Sequence, residues 1–381
     1  MRPGSRCAIR VCTLSACAAG TGRVFHTEHV DGTSTTRHAW SGSDDVAWTE
    51  LGEGEPLLLG GWWMSHLVHD LEYEPIRHFI ETLAGSRRVI RMDPPGTGLT
   101  RSPRGAITVA RHVDALTAVL DAAGVDAATV LAGSSGAPVA IELAARHPDR
   151  VDRMILSGAY LRGTDIAPQA DRDALVDLVR RSWGVGGRVM SDVFFPDATP
   201  DEQHAYLRHQ RASGSSEAAA AALAEVYAID ASAAAGAVRA PTLVMHRRGD
   251  RAIPLPLGAG TAAAIPGAEL RILDGTAHHP WHGDSRALLQ HALAFAGVDP
   301  SELAAMRSPG ESGGAPRGEG PISARERQVL LLVARGRTDA QIADELFLSV
   351  HTVHRHVANA RQKLGVSSRA AAAAWVTAHP D

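Results

Sequence analysis

Cysteine is nearly missing from this 381-residue chain: there are three, and Cys7, Cys12 and Cys17 all lie close to the start. No disulfide can therefore staple a fold anywhere beyond them. A metal site built on the three thiols would lack a nearby fourth ligand, so neither metal nor cofactor is expected. Lysine is reduced to Lys363, and aromatic residues make up 4% of the chain. No run of eighteen apolar residues occurs, which excludes a membrane-spanning helix. Leu14-Ser15-Ala16-Cys17 has the look of a lipoprotein cleavage site, but the apolar stretch after Arg10 is too short for a signal peptide. Residues 1–35 are expected to be a disordered extension or a mis-assigned start, and the protein to stay in the cytoplasm.

What is present suffices for two domains. With 45% hydrophobic residues the chain can bury a large core. Arg307 to Pro321 reads RSPGESGGAPRGEGP, the composition of a flexible tether. The expected division is a domain over 36–298, a linker over 299–320 and a C-terminal module over 321–381. That module holds eight of the 38 basic and five of the 42 acidic groups, a net of +3, which leaves −7 for the rest. A basic end on an acidic body suits phosphate contact confined to that end, and +3 implies weak, salt-sensitive binding by a monomer.

The module has the layout of a helix-turn-helix. Ser323 and Glu326 make a capping box for a helix running to Ala334. A short helix fits Asp339 to Leu346, and Ser349 can cap a third that stops at Gly365. Val353, Val357, Ala360 and Leu364 recur at helical spacing as a buried stripe. The opposite face carries His351, His354, Arg355, Ala358 and Gln362, donors around one small residue, which suits reading base edges. The pattern alone also fits a plain helical bundle with a solvated outer face.

The segment resembles the LuxR-type (GerE- or FixJ-type) helix-turn-helix. Ser323, Arg325 and Glu326 match its opening, Ser349, Thr352, Val353, His356 and Asn359 its third helix, and Lys363-Leu364-Gly365-Val366 with Ser368-Arg369 its close. The resemblance implies a homodimer on double-stranded DNA, paired through a fourth helix from Arg369 to Ala378. It points to Thr352, His354, Arg355, His356, Ala358, Asn359, Lys363 and Arg369 as DNA contacts in or beside the major groove.

Between 36 and 298 short apolar strands alternate with helices, which predicts an α/β fold with a mainly parallel sheet covered on both faces. Strands are expected at Val46–Leu51, Pro56–Leu59, Arg88–Met92, Ala128–Ala132, Met154–Ser157, Thr242–Met245 and Glu269–Leu273. The block from about 160 to 237 is helical and strand-poor, and reads as an inserted cap. LAGSSGAPVAIELAARHP, residues 131–148, has the strand, small-residue turn and helix of a nucleophile elbow. Two registers fit, with the nucleophile at Ser134 or at Ser135. A hydroxyl needs a base oriented by a carboxylate. Asp250 in HRRGDRAIP and His278 in LDGTAHHPWHGD each follow a strand. Gly275 and Pro280 single out His278 over His279 and His282. Two main-chain N–H groups should face the developing oxyanion, those of Ser135 and of Trp62 after Gly60-Gly61.

These segments, with WMSHL, DPPGTGLT and LVDLVRRSWGVGG, resemble the α/β-hydrolase fold with a helical cap. The likeness is strongest to hydrolase domains fused to LuxR-type modules. The spacing of His147-Pro148 in that family selects Ser134, giving the triad Ser134, Asp250 and His278. Ala132, Gly60 and Pro95 depart from its usual residues. The combined expectation is a DNA-binding transcriptional regulator whose α/β-hydrolase domain senses, and can hydrolyse, a small acyl or ester ligand. The alternative is an esterase or lactonase with an accessory DNA-binding domain.

Overall fold

The computed structural model describes residues 28–30, 34–102, 107–305, 322, 324–346 and 369–379, with 353, 356, 357, 360, 361, 364 and 366 between the last two stretches. The chain divides into two compact units between Ala305 and Met306. Among the described residues the first is built on nine strands: β1 Glu28–Val30, β2 Ser34–Ser41, β3 Asp44–Leu51, β4 Pro56–Leu59, β5 Arg88–Met92, β6 Ala128–Gly133, β7 Val151–Ser157, β8 Thr242–Arg247 and β9 Glu269–Leu273. Their order across the sheet is β1-β2-β3-β5-β4-β6-β7-β8-β9. β1, β2 and β3 pair antiparallel in succession, and β3 joins β5 antiparallel. From β5 through β4 to β9 every pairing is parallel. β6 is buried along its whole length, because helices on both faces leave no solvent side for alternation to mark. β1 and the first residues of β2 fall within the segment 1–35.

Helices α1 His69–Glu72, α2 Glu74–Ala84, α3 Val109–Ala122 and α4 Gly136–Arg146 belong to the sheet unit. α2 buries Ile76, Phe79, Ile80 and Leu83, one face at helical spacing. The α3 start is capped by Thr108, whose hydroxyl accepts the Arg111 N–H at 3.3 Å. The core gathers fully buried Leu58, Ile90, Val130, Leu156 and Val244 with Leu116 and Leu120 of α3 and Ile141 and Leu143 of α4. Burying each such side chain contributes roughly 2 kcal/mol.

Five helices interrupt the strand–helix rhythm between β7 and β8: α5 Gln169–Arg181, α6 Trp183–Phe194, α7 Pro200–Ser213, α8 Ser216–Ala228 and α9 Ser232–Ala235. α5 packs on α8 and α6 on α7. α7 starts at a reciprocal capping box between Thr199 and Glu202. Helices α10 Leu255–Ala264, α11 Ser285–Phe295 and α12 Pro300–Ala305 complete the unit.

The second unit contains α13 Ala324–Ala334, α14 Asp339–Leu346 and α15 Arg369–Ala378. α13 ends where Gly336 takes φ +74°, and the Arg337 N–H reaches back to Leu332 O at 3.1 Å. Val329, Ile342, Val353 and Val357 form one buried cluster; Leu330, Ala360, Ala372 and Val376 form another. The expected caps Ser323, Ser349 and Gly365 lie outside the described residues.

Candidate active site

Ser134 sits between the end of β6 and the start of α4, at φ +51°. Among the described residues it is the one non-glycine with a left-handed backbone, a strain that the surroundings must hold in place. Its N–H donates to Ser157 O at 3.0 Å, tying the elbow to the end of β7. Ser135 by contrast is ordinary right-handed helix, at φ −60°. Close approach of the loop after β4 explains the glycines on either side. A Cβ on Gly136 would lie 2.3 Å from Gly61 O, and one on Gly133 would lie 2.8 Å from Trp62 Nε1.

Asp250 follows β8, and its Oδ1 accepts the N–H groups of Ala252 and Ile253 at 2.9 and 3.1 Å. Its Oδ2 accepts from His278 Nδ1 at 2.8 Å. Burial alone would push the Asp250 carboxyl up. The charge and hydrogen bond of His278, with the Ile253 amide and His246, outweigh it and hold the group below the usual carboxylate range. The His278 ring stacks on Phe194 of α6 at 5.3 Å, and the His278 main-chain N–H donates to Phe194 O at 2.7 Å. Its Nε2 is buried with no protein partner among the described residues. Gly158, one residue beyond β7, would place a Cβ 2.9 Å from His278 Cε1 and 3.4 Å from Asp250 Oδ2. The end of β7 thus meets the Ser134 main chain through Ser157 and lies against His278 and Asp250 at Gly158, while no hydrogen bond joins the Ser134 hydroxyl to His278.

The neighbouring histidines are engaged elsewhere. His279 Nε2 meets the Tyr206 hydroxyl at 2.8 Å, and His282 Nε2 meets Tyr73 at 2.9 Å. Complete burial, with positive charge nearby, holds both well below the ordinary imidazole range, so both are neutral. Sequence reasoning missed the residue that shapes this loop, Arg247. Its guanidinium donates to the carbonyls of Ala277 and His279 at 2.7 Å and of His282 at 2.6 Å. Asp93 does similar work for the loops after β4 and β5, accepting from Leu67 N–H at 3.2 Å and Leu99 N–H at 2.8 Å. A Cβ on Gly98 would collide with that carboxylate, which accounts for the glycine in DPPGTGLT.

Trp62 and Ser135 both border a pocket that is partly open to solvent. Among the described residues neither of their main-chain N–H groups donates to a protein acceptor. The pocket lies between the loops after β4 and β5, α3, α4 and α8. No group of three His, Cys, Asp or Glu able to hold a metal occurs among the described residues. No described helix is long and apolar enough to cross a membrane.

In the second unit the stripe of Val353, Val357 and Ala360 is buried. Of the expected DNA contacts, Thr352, His354, Arg355, Ala358, Asn359 and Lys363 lie outside the described residues. His356 is half-buried. Arg369 forms an ion pair with Asp339 and donates to Arg337 O at 3.1 Å, linking the start of α15 to the start of α14.

Comparison with known proteins gives two family matches. The model described as alpha/beta hydrolase fold matches residues 57–282, and that described as bacterial regulatory proteins, luxR family, matches 321–376. A 2-hydroxymuconate semialdehyde hydrolase from Pseudomonas putida is 31% identical over 226 residues, covering 55% of this chain and 75% of its own. The spore germination protein GerE of Bacillus subtilis is 47% identical over 51 residues, 13% of this chain and 69% of its own. An esterase from Exiguobacterium antarcticum superposes with a TM-score of 0.59 at 18% identity, covering 70% of this chain and all of its own. That likeness concerns the fold alone.

Proposed function

Since the chain belongs to the alpha/beta hydrolase fold family and carries a luxR-family regulatory domain, we propose that it is a transcriptional regulator whose hydrolase-fold domain takes a small acyl ligand as its signal. The observation that carries the reading is that one chain holds both a luxR-family domain and a His278–Asp250 pair, with Ser135, next to Ser134, lining a pocket. A DNA reader has no use in a purely metabolic enzyme. Its place of work is the cytoplasm, and as a homodimer it would read a two-fold site.

Ser134 is the nucleophile, His278 the base and Asp250 the group that orients it. Ser134 Oγ attacks the acyl carbon while its proton passes to His278 Nε2, the ring nitrogen without a protein partner. The N–H groups of Trp62 and Ser135 donate to the oxyanion. His278 then returns the proton to the leaving oxygen and the alcohol departs. Water attacks the acyl-serine, giving its proton to His278, and the acid leaves as Ser134 is restored. The strained backbone of Ser134 favours turnover over passive binding, because a receptor needs no such strain.

Two measurements test the reading. Selection of duplex sites from a random library should succeed with the full chain and fail with a chain ending at Gly320; binding by the shortened chain refutes DNA output. Hydrolysis of p-nitrophenyl acetate should vanish in Ser134→Ala, and retained turnover refutes the assignment of the nucleophile.

A further inference from the structure

The pocket beside the elbow is bordered on the cap side by one face of α8. Ala218, Ala221, Ala222 and Glu225 line it, spaced three and four apart as neighbours on a helix surface are. The stripe extends about 10 Å along the helix axis. Its alanines leave room for an apolar chain, and Glu225 ends the series with a carboxylate. Across the pocket, His112 of α3 meets Glu225 Oε1 through Nε2 at 2.5 Å. Both side chains are largely buried, and no arginine or lysine lines the pocket among the described residues. Arg111, next to His112, is held by a two-pronged pair with Asp44, both bonds at 2.6 Å.

A fixed carboxylate in an apolar pocket repels a second carboxylate, which would also lose its water, and the Nε2 of His112, the one imidazole lining the pocket among the described residues, is already taken by Glu225. The same carboxylate accepts a hydroxyl or ammonium donor, whose lost water is offset by a charge-assisted hydrogen bond, and its Oε2 has no protein partner among the described residues. We infer that the ligand is a short acyl compound bearing a second, hydrogen-bond-donating group, hydroxyl or amine, that Glu225 accepts while His112 holds the carboxylate in place. This rests on the pocket being the ligand site proposed above, and it narrows the class to hydroxy- or amino-acyl esters and lactones. Ligands ending in a carboxylate are excluded.

The test uses the full chain carrying Ser134→Ala, so that binding is read without turnover. The quenching of Trp62 and Trp63, which border the pocket, reports four probes: methyl hexanoate, methyl 6-hydroxyhexanoate, methyl 6-aminohexanoate and monomethyl adipate. The hydroxy and amino esters should bind at least tenfold more tightly than monomethyl adipate. Glu225→Gln should shrink that preference to under threefold while leaving methyl hexanoate within twofold. Tighter or equal binding of monomethyl adipate overturns the inference, as does failure of all four to bind. A preference that survives Glu225→Gln overturns the role of Glu225. The comparison among probes needs no change at Glu225, so it stands even if that variant does not fold. Absence of ester hydrolysis by the unsubstituted chain would sink the proposed turnover and leave this comparison intact.

Discussion

Replacing Gly60 by alanine should destabilise the hydrolase-fold unit, and adding Ala132→Gly should undo most of the damage. A Cβ at Gly60 would lie 2.7 Å from the Ala132 Cβ, well inside the roughly 3.5–4.0 Å that carbon atoms prefer. Gly60 does not use a left-handed backbone, so space is the whole objection to a side chain there. Overpacking of this kind costs about 1–3 kcal/mol. Ala132→Gly alone removes a fully buried methyl, worth around 0.8 kcal/mol. It also puts glycine inside β6, at a cost of about 0.5–1 kcal/mol. Independent effects would sum to roughly 3 kcal/mol, but the swap restores the original volume, so the double variant should lose only about 1. Urea unfolding of the full chain, followed by tryptophan fluorescence, gives the three differences. An interaction of at least about 1 kcal/mol is expected. Additivity within about 0.5 kcal/mol would refute the reasoning, because it would mean the two sites do not share one space.

Three further outcomes follow from the geometry. His279 and His282 are neutral in the folded chain and ordinary imidazoles when unfolded, so below about pH 6.5 the unfolded chain takes up protons that the folded one refuses. Stability should fall with pH, by roughly 3 kcal/mol for the pair at pH 5.5, with about 1 returned by Asp93, whose carboxyl burial pushes up to about 6; a flat urea midpoint between pH 7.5 and 5.5 contradicts this. Gly158→Ala combines a left-handed backbone at φ +58° with a contact of 2.9 Å on His278. Ester turnover should drop about a hundredfold, and unchanged kcat would show that His278 does not depend on this approach. Arg369→Ala and Asp339→Asn should each destabilise the C-terminal unit by about 1 kcal/mol through loss of their common ion pair. Loss of DNA affinity in the first alone, at equal stability, would instead make Arg369 a phosphate contact.

The turns around Ser134 and His278 were legible because their requirements are local. Small residues around Ser134, and Gly275 and Pro280 around His278, are set by turns within a few residues of the side chain they position. Runs such as β6, buried on both faces, also announce themselves. Antiparallel β1 and β2 did not, since polar strands such as STTRHAWS carry little alternation. The insertion of β5 between β3 and β4 depends on pairing between distant segments, which no periodicity encodes. For the same reason Arg247 was missed: it holds carbonyls at least thirty positions away. α8 reads as an alanine-rich helix with little contrast between its faces, so sequence could not show which side borders a pocket. Arg369 matched a DNA-contact motif, while its pairing with Asp339 depends on two helices meeting.

The central claim is that occupancy of the hydrolase pocket is felt at the DNA. A p-nitrophenyl alkylphosphonate transfers its phosphonyl group to a reactive serine, so it can fill the site permanently at Ser134. The affinity of the full chain for its selected duplex, measured before and after this treatment, reads the coupling directly. A change of at least fivefold is predicted, the lower end of typical coupling between sites, and it should be absent in Ser134→Ala. Complete labelling of Ser134 with unchanged DNA affinity would contradict the account.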